Sequence, residues 1–389
     1  MNIKIFLEKF IPYLILILVS FITISKMGAD SKLYFGLGNN LLNGISYVDN
    51  IRNDEILPPI GFPFLIMIAN WLKIKGTMFM FLLLSISFLI LIEAFKNLKI
   101  NLYLSLTLIF ILYKIVDPIN LYGIEIGILF SLSLLLYALT LIFKYNNFYS
   151  YIFFSFVILF SVMIRPILLP YIIFISPILI YHIYKYKFKI KKYFNVSLIS
   201  FFSILLFVSI LSYSKYKDNR YVFGTYSAIP LYCAWNKYIN LESVYYSSAW
   251  SILSPDIKKE ALAPLNNKKG WKERDVLLKK KVIDFIFKNP YKALKGFLWR
   301  LSKYTFNSDN IYYNLLFLIW FLLSLYSIFN VKKYNKLFIF IVITIPIYIV
   351  FIKSFFVYVG QRYLLDISLY LIGSLVLQLY YINNLKRDK

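Results

Sequence analysis

The sequence predicts an all-α polytopic membrane protein of about ten transmembrane helices, each near the ~20 apolar residues that a crossing needs. Three observations predict it. The chain has 389 residues, of which 60% are hydrophobic and 20% aromatic, and its apolar runs recur at membrane-crossing length. Cations concentrate in alternate short connections, the pattern that sets orientation in a bilayer. Two stretches break the pattern: a long first loop at 26–76 and a polar region at 214–310.

Lys4 and Lys9 precede an apolar run, Phe10–Ser25, with no small-x-small cleavage site after it, so it reads as a retained first span with a cytoplasmic N-terminus. The loop that follows carries Asp30, Asp49, Asp54 and Glu55, then the stop Pro58-Pro59-x-Gly61-x-Pro63. Phe62–Leu72 is apolar but about half a crossing long, which suits a short helix lying on or dipping into the outer leaflet. Spans two to four are Thr77–Phe95, Ile100–Val116 and Leu121–Phe143. Tyr149–Tyr184 holds two minimal crossings, spans five and six, with a hairpin tip at Arg165-Pro166, because a charge and a proline suit a turn better than a bilayer centre. Span seven is Tyr193–Tyr213, and spans eight to ten are Ile311–Phe329, Leu337–Ile352 and Tyr363–Ile382.

The charge pattern tests this order. It puts Lys96, Lys99 and Lys144, the lysine-rich loop 185–192, Lys332, Lys333 and Lys336, and the tail Lys386–Lys389 on the cytoplasmic side. Counting Phe62–Leu72 as a span would invert that. The division expected is an N-terminal membrane module (1–213) with its loop 26–76, an extracytoplasmic region (214–310), and C-terminal helices (311–389). The middle region ends in Asn289-Pro290, a helix-start pair, followed by Leu294, Phe297, Leu298 and Leu301 at i, i+3, i+4, i+7 beside Lys292, Lys295 and Lys303. That is an amphipathic helix suited to the headgroup layer. The expected location is the cytoplasmic membrane, multi-pass, with lipids as neighbours and no nucleic-acid partner.

The net charge of +25 is read with care. Ile, Lys, Asn, Phe and Tyr are all abundant, as in an AT-rich coding sequence, so the placement of cations counts more than their number. One cysteine, Cys233, excludes an intramolecular disulfide and a cysteine metal cluster. One histidine, His182, leaves no basis for a histidine metal centre or a Ser-His dyad. Both are assigned to structure, and no metal ligand is assigned.

In this topology the notable polar residues share one side. Asp30 lies just beyond span one, Asp117 in the turn between spans three and four, and Glu125 about one turn into span four. Arg165 marks the hairpin tip, while Lys353, Arg362 and Asp366 sit at the outer ends of the last two spans. An ionisable group within a span faces the bundle interior or a wet cavity, which singles out Glu125 and Asp366. Arg362 and Asp366 are also four apart and suit a helical ion pair.

Asp30-x-x-x-Tyr34, Leu41-Leu42-x-Gly44 and Pro58-Pro59-x-Gly61-Phe62-Pro63 together resemble the first extracytoplasmic loop of GT-C-type glycosyltransferases. These integral-membrane enzymes include protein O-mannosyltransferases and the lipid A aminoarabinose transferase. Glu125 in span four, Arg165-Pro166, Arg362-Tyr363-Leu364-Leu365 and the Asn-Pro before the amphipathic helix are similar as well. The resemblance covers most of the chain.

It implies a donor sugar carried on a polyprenyl phosphate and an acceptor that is a glycan, lipid or protein of the cell envelope. A carboxylate would deprotonate the acceptor hydroxyl and cations would hold the departing phosphate. Asp30, Glu125 and Asp117 are then the catalytic candidates; Arg165, Arg362 and Lys353 the phosphate and lipid-donor candidates; and Tyr34, Pro59 and Gly61 the substrate-loop candidates. No cofactor is required. A divalent cation, magnesium or manganese, is compatible with the acids, though nothing demands it. Two readings stand beside this one: a flippase of a surface-polysaccharide pathway, and a membrane scaffold or assembly partner of a polysaccharide machine; a polymerase of lipid-linked oligosaccharides is a close enzymatic relative of the main reading. Only 13 glycines and no visible repeat count against the flippase.

Overall fold

The computed structural model describes residues 17, 29–44, 60–116, 124–145, 147–165, 231–232, 234–235, 270–306, 310–330, 336–356 and 361–385. Their regular elements are all α-helices: α1 (Ala29–Leu42), α2 (Gly61–Trp71), α3 (Gly76–Asn97), α4 (Leu102–Val116), α5 (Ile124–Tyr145), α6 (Phe148–Ile164), α7 (Gly270–Lys288), α8 (Pro290–Thr305), α9 (Ile311–Asn330), α10 (Lys336–Phe356) and α11 (Gln361–Leu385). Three of them, α3, α5 and α9, are long and apolar enough to cross a membrane. At ~1.5 Å per residue their 20 to 22 residues match the ~30 Å hydrocarbon core. Spans one, six and seven of the sequence reading, with His182 and Cys233, lie outside the described residues.

Local chemistry fixes the helix ends. After α2 and α3 the chain closes two Schellman motifs. Ile74 N–H donates to Ala69 O and Lys73 N–H to Asn70 O, while Ile100 N–H donates to Phe95 O and Lys99 N–H to Lys96 O. Lys73 and Lys99 take the left-handed position, each with φ +57°, where glycine is the usual occupant. Gly44 fills the comparable place after α1 with φ +66°. Asn147 and Ser150 form a reciprocal capping box that starts α6. Arg165 ends α6 in extended conformation (φ −148°, ψ 103°), as expected of a residue before proline.

Side-chain contacts set the relative directions. Asn97 Nδ2 donates to Thr140 Oγ1 at 3.2 Å and Phe143 stacks on Tyr380, so α3, α5 and α11 finish at the same end of the bundle. Trp320 Nε1 reaches Ser374 Oγ at 2.9 Å and Ser327 Oγ reaches Gln378 Oε1 at 2.9 Å, so α9 runs parallel to α11. The starts of α3, α5, α9 and α11 therefore share one end, with the end of α10 beside them.

Pro346 sits within α10, and its missing N–H leaves the carbonyl of Val342 without a helical donor. Ser374 Oγ donates to that carbonyl at 2.8 Å and accepts from Gln378 Nε2 at 3.2 Å as well as from Trp320. One serine thus joins three helices and satisfies the proline defect from a neighbour, as a membrane bundle requires. A cavity of about 230 Å³ opens between α3, α5, α6, α10 and α11, lined by Leu91, Leu135, Ile158, Ile345, Leu369 and others.

Two details differ from the sequence reading. The first loop is not simply irregular, because α1 occupies 14 of its residues. Asn289 precedes α8 without capping it: its Nδ2 donates at 3.3 Å to Phe285 O, the end of α7, which runs right up to it. Helix α8 packs on the face that carries its small residues. Ala293, Gly296, Arg300 and Tyr304 are buried, and Phe297 and Leu301 only partly so. Leu294 and Leu298 are more than half exposed.

Candidate functional site

The geometry converges at the end of the bundle where α5 begins. Helices α1 and α2 run side by side in the same direction. Tyr34 meets the ring of Phe62 edge-on at 5.4 Å, and Asn70 Nδ2 donates to Asn39 Oδ1 at 2.7 Å further along. Gly38 lets Ile66 in, since a Cβ on it would stand 2.6 Å from Ile66 Cγ2. The two N-termini therefore lie together. Asp30 is in the first turn of α1, one turn before Tyr34; its side chain lies outside the described residues.

From this pair, contacts lead to both other motifs. A Cβ on Gly61 would come within 2.7 Å of the backbone of Met163 and Ile164, so the start of α2 presses on the last turn of α6. Arg165 follows immediately, half-buried. Phe62, fully buried, fills the space over Gly127, where a Cβ would stand 2.4 Å from its ring. Glu125, two residues earlier in the first turn of α5, is 4% exposed. A carboxylate at a helix N-terminus gains from the helix dipole, which offsets part of the cost of burial. Tyr34, Gly61, Glu125 and Arg165, from four separate stretches, thus join one continuous packing unit through Phe62, Gly127 and Ile164.

A second cluster sits at the end of α10. Lys353 is fully buried in its last turn. The next two carbonyls, those of Ser354 and Phe355, belong to the end of the helix and need donors from elsewhere. Arg300 of α8 supplies the first, Nε to Ser354 O at 2.7 Å, and Trp235 Nε1 supplies the second. Arg300 Nη1 donates to Ala234 O at 2.8 Å, and its guanidinium lies 4.4 Å from the Trp235 ring centre. Burial pushes the guanidinium down to about 10, with Tyr304 opposing, so it stays charged at neutral pH.

Of the other expected residues, Arg362 and Asp366 belong to the first turns of α11 at this same end, with side chains outside the described residues. Asp117 and Pro59 are outside them altogether. Among the described residues no three of His, Cys, Asp and Glu gather where they could hold a metal ion. The apolar cavity includes none of the expected site residues.

Sequence reasoning missed Phe62 and Gly127 as a packed pair, and it missed Arg300. The signal for Arg300 was present: it shares a helical face with the small residues Ala293 and Gly296, where a solvated lysine face would not be. What the fold and the site define is a chain that is helical over its described residues, with three helices long and apolar enough to cross a membrane and charged groups buried at one end. The chain matches no family model, no curated protein and no solved structure.

Proposed function

We propose that this chain is a polytopic membrane glycosyltransferase of GT-C type, which moves a sugar from a polyprenyl-phosphate donor to a cell-envelope acceptor on the extracytoplasmic face of the cytoplasmic membrane. The observation that supports it is the convergence of the Tyr34, Gly61-Phe62, Glu125 and Arg165 stretches on one end of the bundle. They are the same stretches that carry the resemblance to these transferases.

In this reading the acceptor hydroxyl oxygen attacks the anomeric carbon of the donor sugar. The bond from that carbon to the phosphate oxygen breaks, its electron pair stays with the phosphate, and the hydroxyl proton passes to a carboxylate. Asp30 is the leading candidate base, followed by Glu125 and Asp117. The lipid phosphate is a good leaving group and needs cations rather than a strong acid, the role of Arg165, Arg362 and Lys353. Tyr34 and Gly61 shape the loop against which the sugar lies.

The test is transfer by the purified chain, reconstituted with a polyprenyl-phosphate sugar and envelope acceptors and read by mass analysis of the product. Asp30→Asn and Glu125→Gln are each measured against wild type. Loss of the true base lowers the rate by about 10²–10⁴-fold. Near-normal transfer by both variants and by Asp117→Asn would remove the proposed chemistry, and a donor moved across the bilayer unaltered would assign a flippase instead.

A further inference from the structure

Arg300 is a guanidinium 2% exposed, held in place from three sides, and left with one nitrogen unused. Nε and Nη1 each donate to a carbonyl, whereas Nη2 is buried and has no hydrogen-bond partner. Among the described residues no carboxylate pairs with Arg300. A buried charge without a counter-ion costs several kcal/mol, and proteins rarely leave one in place without use.

The neighbours offset only part of that charge. Ser354 O and Phe355 O form the C-terminal end of α10, equivalent to about half a negative charge. Arg300 contributes a full positive charge, so about half remains. Neutral groups would have capped α10 equally well: Trp235 does so at Phe355 O with an indole N–H. An arginine here does something a neutral cap cannot.

We infer that Arg300, at the end of α10, forms a binding site for a phosphate group, with Nη2 as the donor reserved for the anion. This rests on the transferase reading only for the ligand's origin; the charge argument stands without it. Two guanidinium nitrogens locked on carbonyls aim the third, so the site is preorganised, and both N–H bonds of Nη2 can reach phosphate oxygens. Nη2 is buried without a hydrogen-bond partner, so an anion there satisfies it without displacing another bond. The phosphate is either that of an isoprenyl lipid, whose tail stays in the bilayer, or a soluble one.

The experiment uses the full chain in nanodiscs of phosphatidylcholine, with a short-chain isoprenyl monophosphate and inorganic phosphate as separate probes. Binding is read by calorimetry, and protection of 290–305 by hydrogen exchange. Wild type is expected to bind at least one probe, with protection of 290–305. Protection by the isoprenyl probe alone assigns a lipid phosphate, and protection by inorganic phosphate as well assigns a site open to soluble anions. Arg300→Lys, which cannot hold both carbonyls and the anion, is expected to weaken binding about tenfold or more. A folded Arg300→Lys chain with wild-type affinity would overturn the inference and leave Arg300 as a cap. If that variant does not accumulate, wild type decides alone: no protection of 290–305 by either probe overturns it. Sugar transfer is scored separately. Transfer with phosphate affinity indifferent to Arg300 sinks this inference alone, and phosphate binding without transfer sinks the transferase reading alone.

Discussion

Gly61→Ala separates the packing of the candidate site from the stability of the bundle. The methyl group would stand 2.7 Å from Ile164 N and from Met163 C, both backbone atoms that cannot rotate away. Carbon contacts are comfortable at about 3.5–4.0 Å, so the start of α2 must retreat by roughly 1 Å. Phe62 is the next residue and seats over Gly127, so the displacement passes directly to the turn that holds Glu125. Overpacking of this kind costs about 1–3 kcal/mol of stability. A misplacement of ~1 Å at a reacting group costs on the order of 10² in rate. The control is Gly36→Ala in the neighbouring helix α1, where a Cβ meets nothing within 4 Å and removing a helical glycine stabilises by about 0.5–1 kcal/mol. Thermal melts in detergent and transfer rates in proteoliposomes are measured on both. The expected result is a modest fall in melting temperature and a large fall in rate for Gly61→Ala, with neither fall for Gly36→Ala. Wild-type rate in Gly61→Ala would refute the claim that α2 positions the Glu125 turn.

Arg165→Lys is expected to lower kcat at saturating donor, because lysine cannot grip two phosphate oxygens; loss of one stabilising donor costs roughly 3–4 kcal/mol and lysine recovers only part. Unchanged kcat would leave Arg165 as a membrane anchor that ends α6. Ser374→Ala removes the donor to Val342 O and the acceptor for Trp320, so unfolding in detergent should become easier by about 1–3 kcal/mol while the donor KM holds. An unchanged melt would show that the proline defect finds another donor. Lys99→Gly relieves a left-handed lysine after α3 and should raise stability by up to about 1 kcal/mol, read in the same melt.

The apolar code was legible almost to the residue. Thr77–Phe95 became Gly76–Asn97, and Ile311–Phe329 became Ile311–Asn330, because a membrane-length apolar run leaves little choice of structure. The helix in the first loop was not legible. Ala29–Leu42 mixes glycines, asparagines and a lysine with its apolar residues, and its order comes from packing on α2 rather than from its own pattern. The site was half legible. Glu125 and Arg165 stand out as charges beside grease, and they fall where the chain turns. That Gly61 abuts Ile164 while Gly127 makes room for Phe62 is a matter of tertiary approach, and no local rule announces it. Arg300 was hidden by its company, since an arginine among lysines on an amphipathic helix reads as one more cation until its carbonyl partners are seen.

The distribution of buried polar groups bears on what the charges are for. Along the middle of the bundle the helices are joined by neutral groups: Ser374, Gln378, Ser324, Ser327 and Trp320 bond to one another or to Val342 O. That seam does what stability asks of polar groups in a bilayer, at modest cost. Glu125, Lys353 and Arg300 are equally buried but charged, and all lie at the end of the bundle where α5 begins. Burying each ion costs more than burying a serine, and replacing buried ions with neutral groups often leaves a protein as stable or more so. A scaffold would gain nothing from such groups, since the neutral seam already holds the helices. A transferase needs them, because a proton must find a base and a leaving phosphate must find a cation. The two roles part at Glu125→Gln. The scaffold reading leaves the chain fully functional. The transferase reading, where Glu125 is the base, gives a chain as stable as wild type, or more so, whose transfer falls by about 10²–10⁴-fold; where Asp30 is the base, that fall appears in Asp30→Asn instead.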